Sequence, residues 1–148
     1  MAIETILYVG AAVVAAGSAV YQGVQANKEA KYNAQIREQD AIAAKNKAAY
    51  DETMHRERVR KLLSSQKALY GRSGVSLLGS PELVMEETAA QGELDELAIR
   101  YGGDVEASRN RSEATLSRMR GKSASTSGYA SAGSSLLTAG SKVYKAGN

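Results

Sequence analysis

Few side chains in this chain are spaced for chemistry, and each candidate group can be weighed against a plainer account. Gly121-Lys122-Ser123 has the ending of a phosphate-binding loop, in which backbone N–H groups and a lysine hold phosphate oxygens. The position where that loop requires its first glycine is Leu116, and no strand pattern leads into it. Gly71-Arg72-Ser73-Gly74 approaches a nucleophile elbow, but its second glycine comes one place early and no sheet surrounds it. Glu86, Glu87, Glu93, Asp95 and Glu96 are the densest carboxylates. At helical spacing they scatter round the axis with no histidine among them, so a solvated or ion-paired face explains them better than acid–base or metal work. His55, the single histidine, sits between Met54 and Arg56 as a surface residue would. The chain has no cysteine, which excludes disulfides and cysteine metal sites. The expectation is a protein that is not an enzyme, with no catalytic, cofactor-binding or metal-binding residues.

Basic side chains are the exception that could still bind something. Arg56, Arg58, Arg60, Lys61, Lys67 and Arg72 crowd one run, and Arg109, Arg111, Arg118, Arg120 and Lys122 form a second. Such clusters can line a path for phosphates by electrostatics alone, giving non-specific DNA contact. The competing use is pairing with acids in the same assembly. Residues 81–106 hold eight acids against Arg100 alone, whereas 28–72 hold eleven cations against six acids. Blocks of alternating sign suit antiparallel or intersubunit helix pairing.

The elements that must carry these groups are helical. From Val24 to Tyr70 there is neither glycine nor proline. Stripes at three-, four- and seven-residue steps run through Tyr32, Ile36, Ala43 and Tyr50, through Val59, Leu62, Leu63, Leu69 and Tyr70, and through Leu83, Ala90, Leu94, Leu97, Tyr101 and Val105. Gly71, Gly74, Gly79 and Pro81 then fall within one short stretch. Ser80-Pro81-Glu82 reads as a helix start, with Ser80 as N-cap and Pro81 in the first helical position. The expected fold is all-α: a long helical hairpin with a Gly/Ser/Pro turn near 71–81. Its parts are an apolar small-residue helix at 1–27, a long charged helix at 28–70, the turn with Gly74, Gly79, Ser80 and Pro81, and a return helix at 82–120. Gly102-Gly103 would kink or divide the return. A Ser/Gly/Ala-rich tail at 121–148 carries a weakly apolar helix.

The 148 residues and 15.6 kDa suffice for one domain. Of the 43% hydrophobic fraction, 25 residues are alanine, and Phe and Trp are absent. Leu, Ile and Val total only 27, too few for a deep core in one subunit, so a homo-oligomeric ring or tube, or tight docking on other proteins, is expected.

The N-terminal stretch is free of charge from Thr5 to Asn27 and as a helix would span about 30 Å of hydrocarbon. Ala11, Ala15, Ala19 and Gly23 stand four apart, a ridge that lets helices approach closely, while Ile6, Val13 and Val20 supply bulk. These seven residues are the expected membrane or oligomer contact. A secretory signal fits badly, because Glu4 and no basic residue precedes the apolar run. Ala16-Gly17-Ser18-Ala19-Val20-Tyr21 recurs near the other end as Ala139-Gly140-Ser141-Lys142-Val143-Tyr144, which suggests similar packing roles.

The layout resembles the small internal virion (core or ejection) proteins of tailed, especially short-tailed, bacteriophages. The likeness is carried by Gly74-Val75-Ser76-Leu77-Leu78-Gly79-Ser80-Pro81, by the return from Glu93 to Asp104, and by Ala132-Gly133-Ser134-Ser135-Leu136-Leu137-Thr138. It implies a protein stored in the capsid near the portal, in contact with portal, tail adaptor or larger ejection proteins, then expelled to help build a conduit for the genome through the host envelope. The alternative from the residues is a small membrane-disrupting protein of the holin type.

Overall fold

The computed structural model of the chain describes residues 2–74, 76 and 79–146, with the side chains at 2–10, 12 and 146 outside the description. Two helices account for nearly all of it: α1, Ala2–Arg72, and α2, Ser80–Ala146. This is the all-helical hairpin expected, and no strand occurs among the described residues. The return is not divided at Gly102-Gly103, because α2 runs through both without interruption. The tail continues the same helix to Ala146.

The turn is set by backbone geometry. Gly74 and Gly79 have φ of 69° and 92°, a left-handed conformation that glycine adopts without steric cost. At the end of α1 the Ser73 hydroxyl donates to the carbonyls of Leu69 (2.9 Å) and Tyr70 (3.1 Å), satisfying acceptors that the helix leaves open. At the start of α2 the Leu83 amide donates to the Gly79 carbonyl at 3.2 Å. Gly79 therefore occupies the N-cap position expected of Ser80, and Ser80 and Pro81 fill the first two helical positions, where a missing N–H costs nothing. Residues 75, 77 and 78 of the turn lie outside the described residues.

The chain forms two compact units, residues 1–38 with 112–148 and residues 39–111. In the first, α1 and α2 segments run antiparallel: a β-carbon added at Gly128 would meet the Ala19 carbonyl oxygen at 2.7 Å, one at Gly23 the Ala124 carbonyl oxygen at 2.8 Å, and one at Gly121 the Asn27 side chain at 2.9 Å. In the second, a β-carbon at Gly103 would strike the Ala48 methyl, and one at Gly92 would meet Val59 at 2.8 Å. The fully buried apolar residues are all alanines, among them Ala34, Ala41, Ala107 and Ala114. On α2 the inward positions are Gly103, Ala107 and Asn110 in the unit of residues 39–111, and Ala114, Ser117, Gly121, Ala124 and Gly128 in the other unit; within each they step by four and three, the spacing of a coiled-coil seam. All but Asn110 are Gly, Ala or Ser.

The large apolar residues therefore lie elsewhere, and much of each stripe that marks the helices faces away from the contact between them. Tyr32, Ile36, Ala43 and Tyr50 are exposed, as are Leu83, Ala90, Leu94, Leu97 and Tyr101. Of the middle stripe, Leu62 and Leu69 are exposed and Val59, Leu63 and Tyr70 are half-buried. A backbone-to-backbone approach leaves no room for Leu or Tyr between the helices, so the faces opposite the seam carry them. Neither helix is appreciably amphipathic overall, in keeping with apolar groups on both sides.

Two neighbouring glycines separate packing from helix propensity. Gly102 has open space around its α-carbon, whereas Gly103 faces Ala48. Gly102→Ala is expected to raise stability by about 0.5–1 kcal/mol, and Gly103→Ala to lower it by about 1–3 kcal/mol through forced separation of the helices. Urea denaturation of the two variants checks the opposite signs.

Candidate functional site

Ion pairs fasten the seam from its flanks. In the unit of residues 39–111, Arg56 binds the Glu96 carboxylate at 2.8 Å and Glu52 at 3.0 Å, while Arg100 closes on the same Glu52 from the other helix. Lys45 meets Asp104 at 3.0 Å. In the other unit Arg37 meets Glu113 at 3.0 Å and Arg118 meets Glu38 at 2.6 Å. Part of the alternating charge pattern is thus satisfied within one chain. The Arg100 hydrogen bond, with the nearby guanidinium charges, holds the Glu52 carboxyl below its ordinary value against the opposing effect of desolvation. Glu96 and Glu52 in turn raise the guanidinium values of Arg56 and Arg100.

The basic run divides. Arg56 is committed to Glu96 and Glu52, and Arg58 donates from Nε to its own helix at the Met54 carbonyl, 3.3 Å away. Arg60, Lys61, Lys67 and Arg72 are exposed and form none of the ion pairs among the described residues. Of the acids, Glu82, Glu86, Glu87 and Glu93 are likewise exposed and unpaired. His55 is half-buried, with Nε2 lacking a hydrogen bond and Asp95 at 3.8 Å. No group of three or more His, Asp or Glu side chains that could hold a metal occurs among the described residues.

The N-terminal ridge is split by the seam. Ala19 and Gly23 lie against α2, with Gly23 buried and Val20 half-buried, whereas Ala11, Val13 and Ala15 face outward. Ile6 lies outside the described side chains. Four-residue spacing alone joins all four ridge positions, but a helix pairs along alternating steps of three and four, which here select Ala16, Val20, Gly23, Asn27 and Ala30. Among the described residues no helix is long and apolar enough to cross a membrane. The recurring hexapeptide has matching placement: Ala16 and Ala139 turn inward, Val20 and Val143 are half-buried, and Tyr21 and Tyr144 are exposed.

What sequence reasoning missed is the small-residue seam itself. Its signal was present as Gly or Ala at 107, 114, 121 and 128, three seven-residue steps obscured by the high alanine content.

Because its folded carboxyl value is lowered, the stability that Glu52 contributes is fully present above its ordinary value of 4.5 and is lost as pH falls through the depressed value. Glu52→Gln should therefore melt at a lower temperature than wild type at pH 7, with the gap closing in strong acid. Thermal melts by circular dichroism between pH 2 and pH 7 read this, and a gap that widens in acid would contradict it.

No protein-family model, curated protein or solved structure matches the chain.

Proposed function

We propose that this chain is a non-enzymatic structural protein of a tailed-bacteriophage particle, held inside the capsid near the portal. On infection it leaves with the genome and, as a homo-oligomer, forms part of the conduit across the host envelope. The observation that carries this reading is the inverted distribution of side chains: among the described residues every buried position is alanine or glycine, while Tyr50, Leu83, Leu94 and Tyr101 remain 60–72% exposed. A subunit built this way has its large apolar groups available for other copies or other proteins. The all-helical hairpin and the Gly/Ser/Pro turn accord with the resemblance to internal virion proteins.

Mass spectrometry of purified particles, before and after DNA release in vitro, tests the role. The chain is expected in full particles and depleted from emptied ones. Its absence from full particles would overturn the proposal and favour a lysis protein of the holin type.

The uncharged N-terminal segment is the part proposed to meet the host membrane. Purified protein is expected to release dye from anionic liposomes, and Val13→Lys to weaken this strongly, since a lysine near a bilayer centre costs about 2.5–3.5 kcal/mol. Val13 is exposed, so the substitution leaves the in-chain seam intact. No leakage by wild type would confine the function to protein–protein assembly.

A further inference from the structure

Within residues 39–111 the outward face of α2 is a second seam with no partner. Leu83, Ala90, Leu94, Leu97 and Tyr101 step by seven, four, three and four, and all are exposed. At the same level the inward positions of α2 are Met85, Thr88, Gly92, Glu96 and Ile99, all buried or half-buried; the outward face holds exposed Leu and Tyr, the sizes that fill an ordinary coiled-coil interface. Between Leu83 and Ala90 the four-residue step falls on Glu87, and Glu82, Glu86 and Glu93 lie beside the seam; none of the four is paired.

That charge rules out several occupants. Two copies meeting α2 to α2 across a twofold axis would bring these acids together, which is unfavourable. The complementary surface is on α1 of the same unit. There Lys47, Tyr50, Met54, Glu57 and Lys61 step by three and four along one exposed face opposite the in-chain seam, with Arg58 beside it, so that cations outnumber the single acid.

We propose that the α2 face Leu83–Tyr101 receives α1 of a second copy of this chain, Tyr50 and Met54 packing on its apolar residues and Lys61 and Arg58 facing the free glutamates. The levels agree. Gly92 sits against Val59, and the Gln66 amide donates to the Thr88 hydroxyl at 3.5 Å, so residues 58–67 of α1 lie beside the part of α2 that bears these acids. A neighbour generated by rotation about an axis parallel to the helices keeps that level and brings cations opposite acids without axial shift. The two surfaces differ, so the contact is heterologous, and a heterologous contact repeated by pure rotation closes into a ring. The inference rests on the oligomeric part of the function proposed above and is independent of the virion part.

Sedimentation of the full-length purified protein tests it, with helix content by circular dichroism as the control for folding. Wild type is expected to form one discrete oligomer at micromolar concentration. Leu94→Glu should reduce it to monomer without loss of helix, because the side chain is exposed. Lys61→Glu should weaken association by at least about tenfold, and the added change Glu87→Lys should restore it. A monomeric wild type, an unchanged mass for Leu94→Glu, or failure of the double variant to recover would each overturn the interface. So would Lys61→Glu leaving the mass unchanged while lowering affinity for a DNA duplex, which would assign these cations to phosphate. Since all readouts are on protein in solution, failure here with the chain still found in particles removes this interface alone. Success with the chain absent from particles removes the virion role alone.

Discussion

Backbone approach between α1 and α2 is the constraint from which the other features follow. Where Gly23 faces the Ala124 carbonyl and Gly128 faces that of Ala19, no side chain fits between the helices. Alanine and glycine lose little or no side-chain entropy on burial, but they also remove little apolar area from water. The hairpin is therefore held by many short contacts and by flanking ion pairs, each of modest worth at the surface, and not by a deep core.

The same constraint sets the polar groups in the seam. Asn27 lies opposite Gly121, and its side-chain oxygen is buried without a hydrogen bond, as is that of Gln66. A polar residue at a coiled-coil core position fixes register at a cost in stability. In a seam of near-identical methyl groups, where a slip by seven residues would otherwise leave much of the contact unchanged, such residues distinguish one alignment from another. The bidentate meeting of Arg56 with Glu96 and the closure of Arg100 on Glu52 act in the same sense.

Much of the architecture was legible in the residues. The uninterrupted run from Val24 to Tyr70, the glycines and proline after it, and the opposed charge blocks led to a hairpin with its turn at the right place. The orientation of both helices was not legible, because the most apolar stripe is ordinarily the buried one. Here Tyr32, Tyr50, Leu94 and Tyr101 face outward since a close-packed pair selects by side-chain volume before hydrophobicity. The ridge Ala11/Ala15/Ala19/Gly23 is divided for a related reason: steps of four drift round a helix, so Ala19 and Gly23 meet α2 while Ala11 and Ala15 are exposed. From sequence Gly102-Gly103 reads as a kink or break in the return helix, whereas Gly103 is a packing position against Ala48.

The sequence separation of the contacts within each unit also orders their closure. The Gln66–Thr88 hydrogen bond joins residues 22 apart in sequence, while the Arg118–Glu38 contact joins residues 80 apart. Loop-closure entropy makes the second more costly by about 1 kcal/mol if formed first, and local contacts form faster than distant ones. Once the turn is made, each new contact near it needs only a small added loop. Zipping from the turn toward the chain ends is thus the least costly route to the hairpin, and the reverse route frees the ends first. For a chain whose two termini share one compact unit, that unit is the last to assemble and the first available to separate.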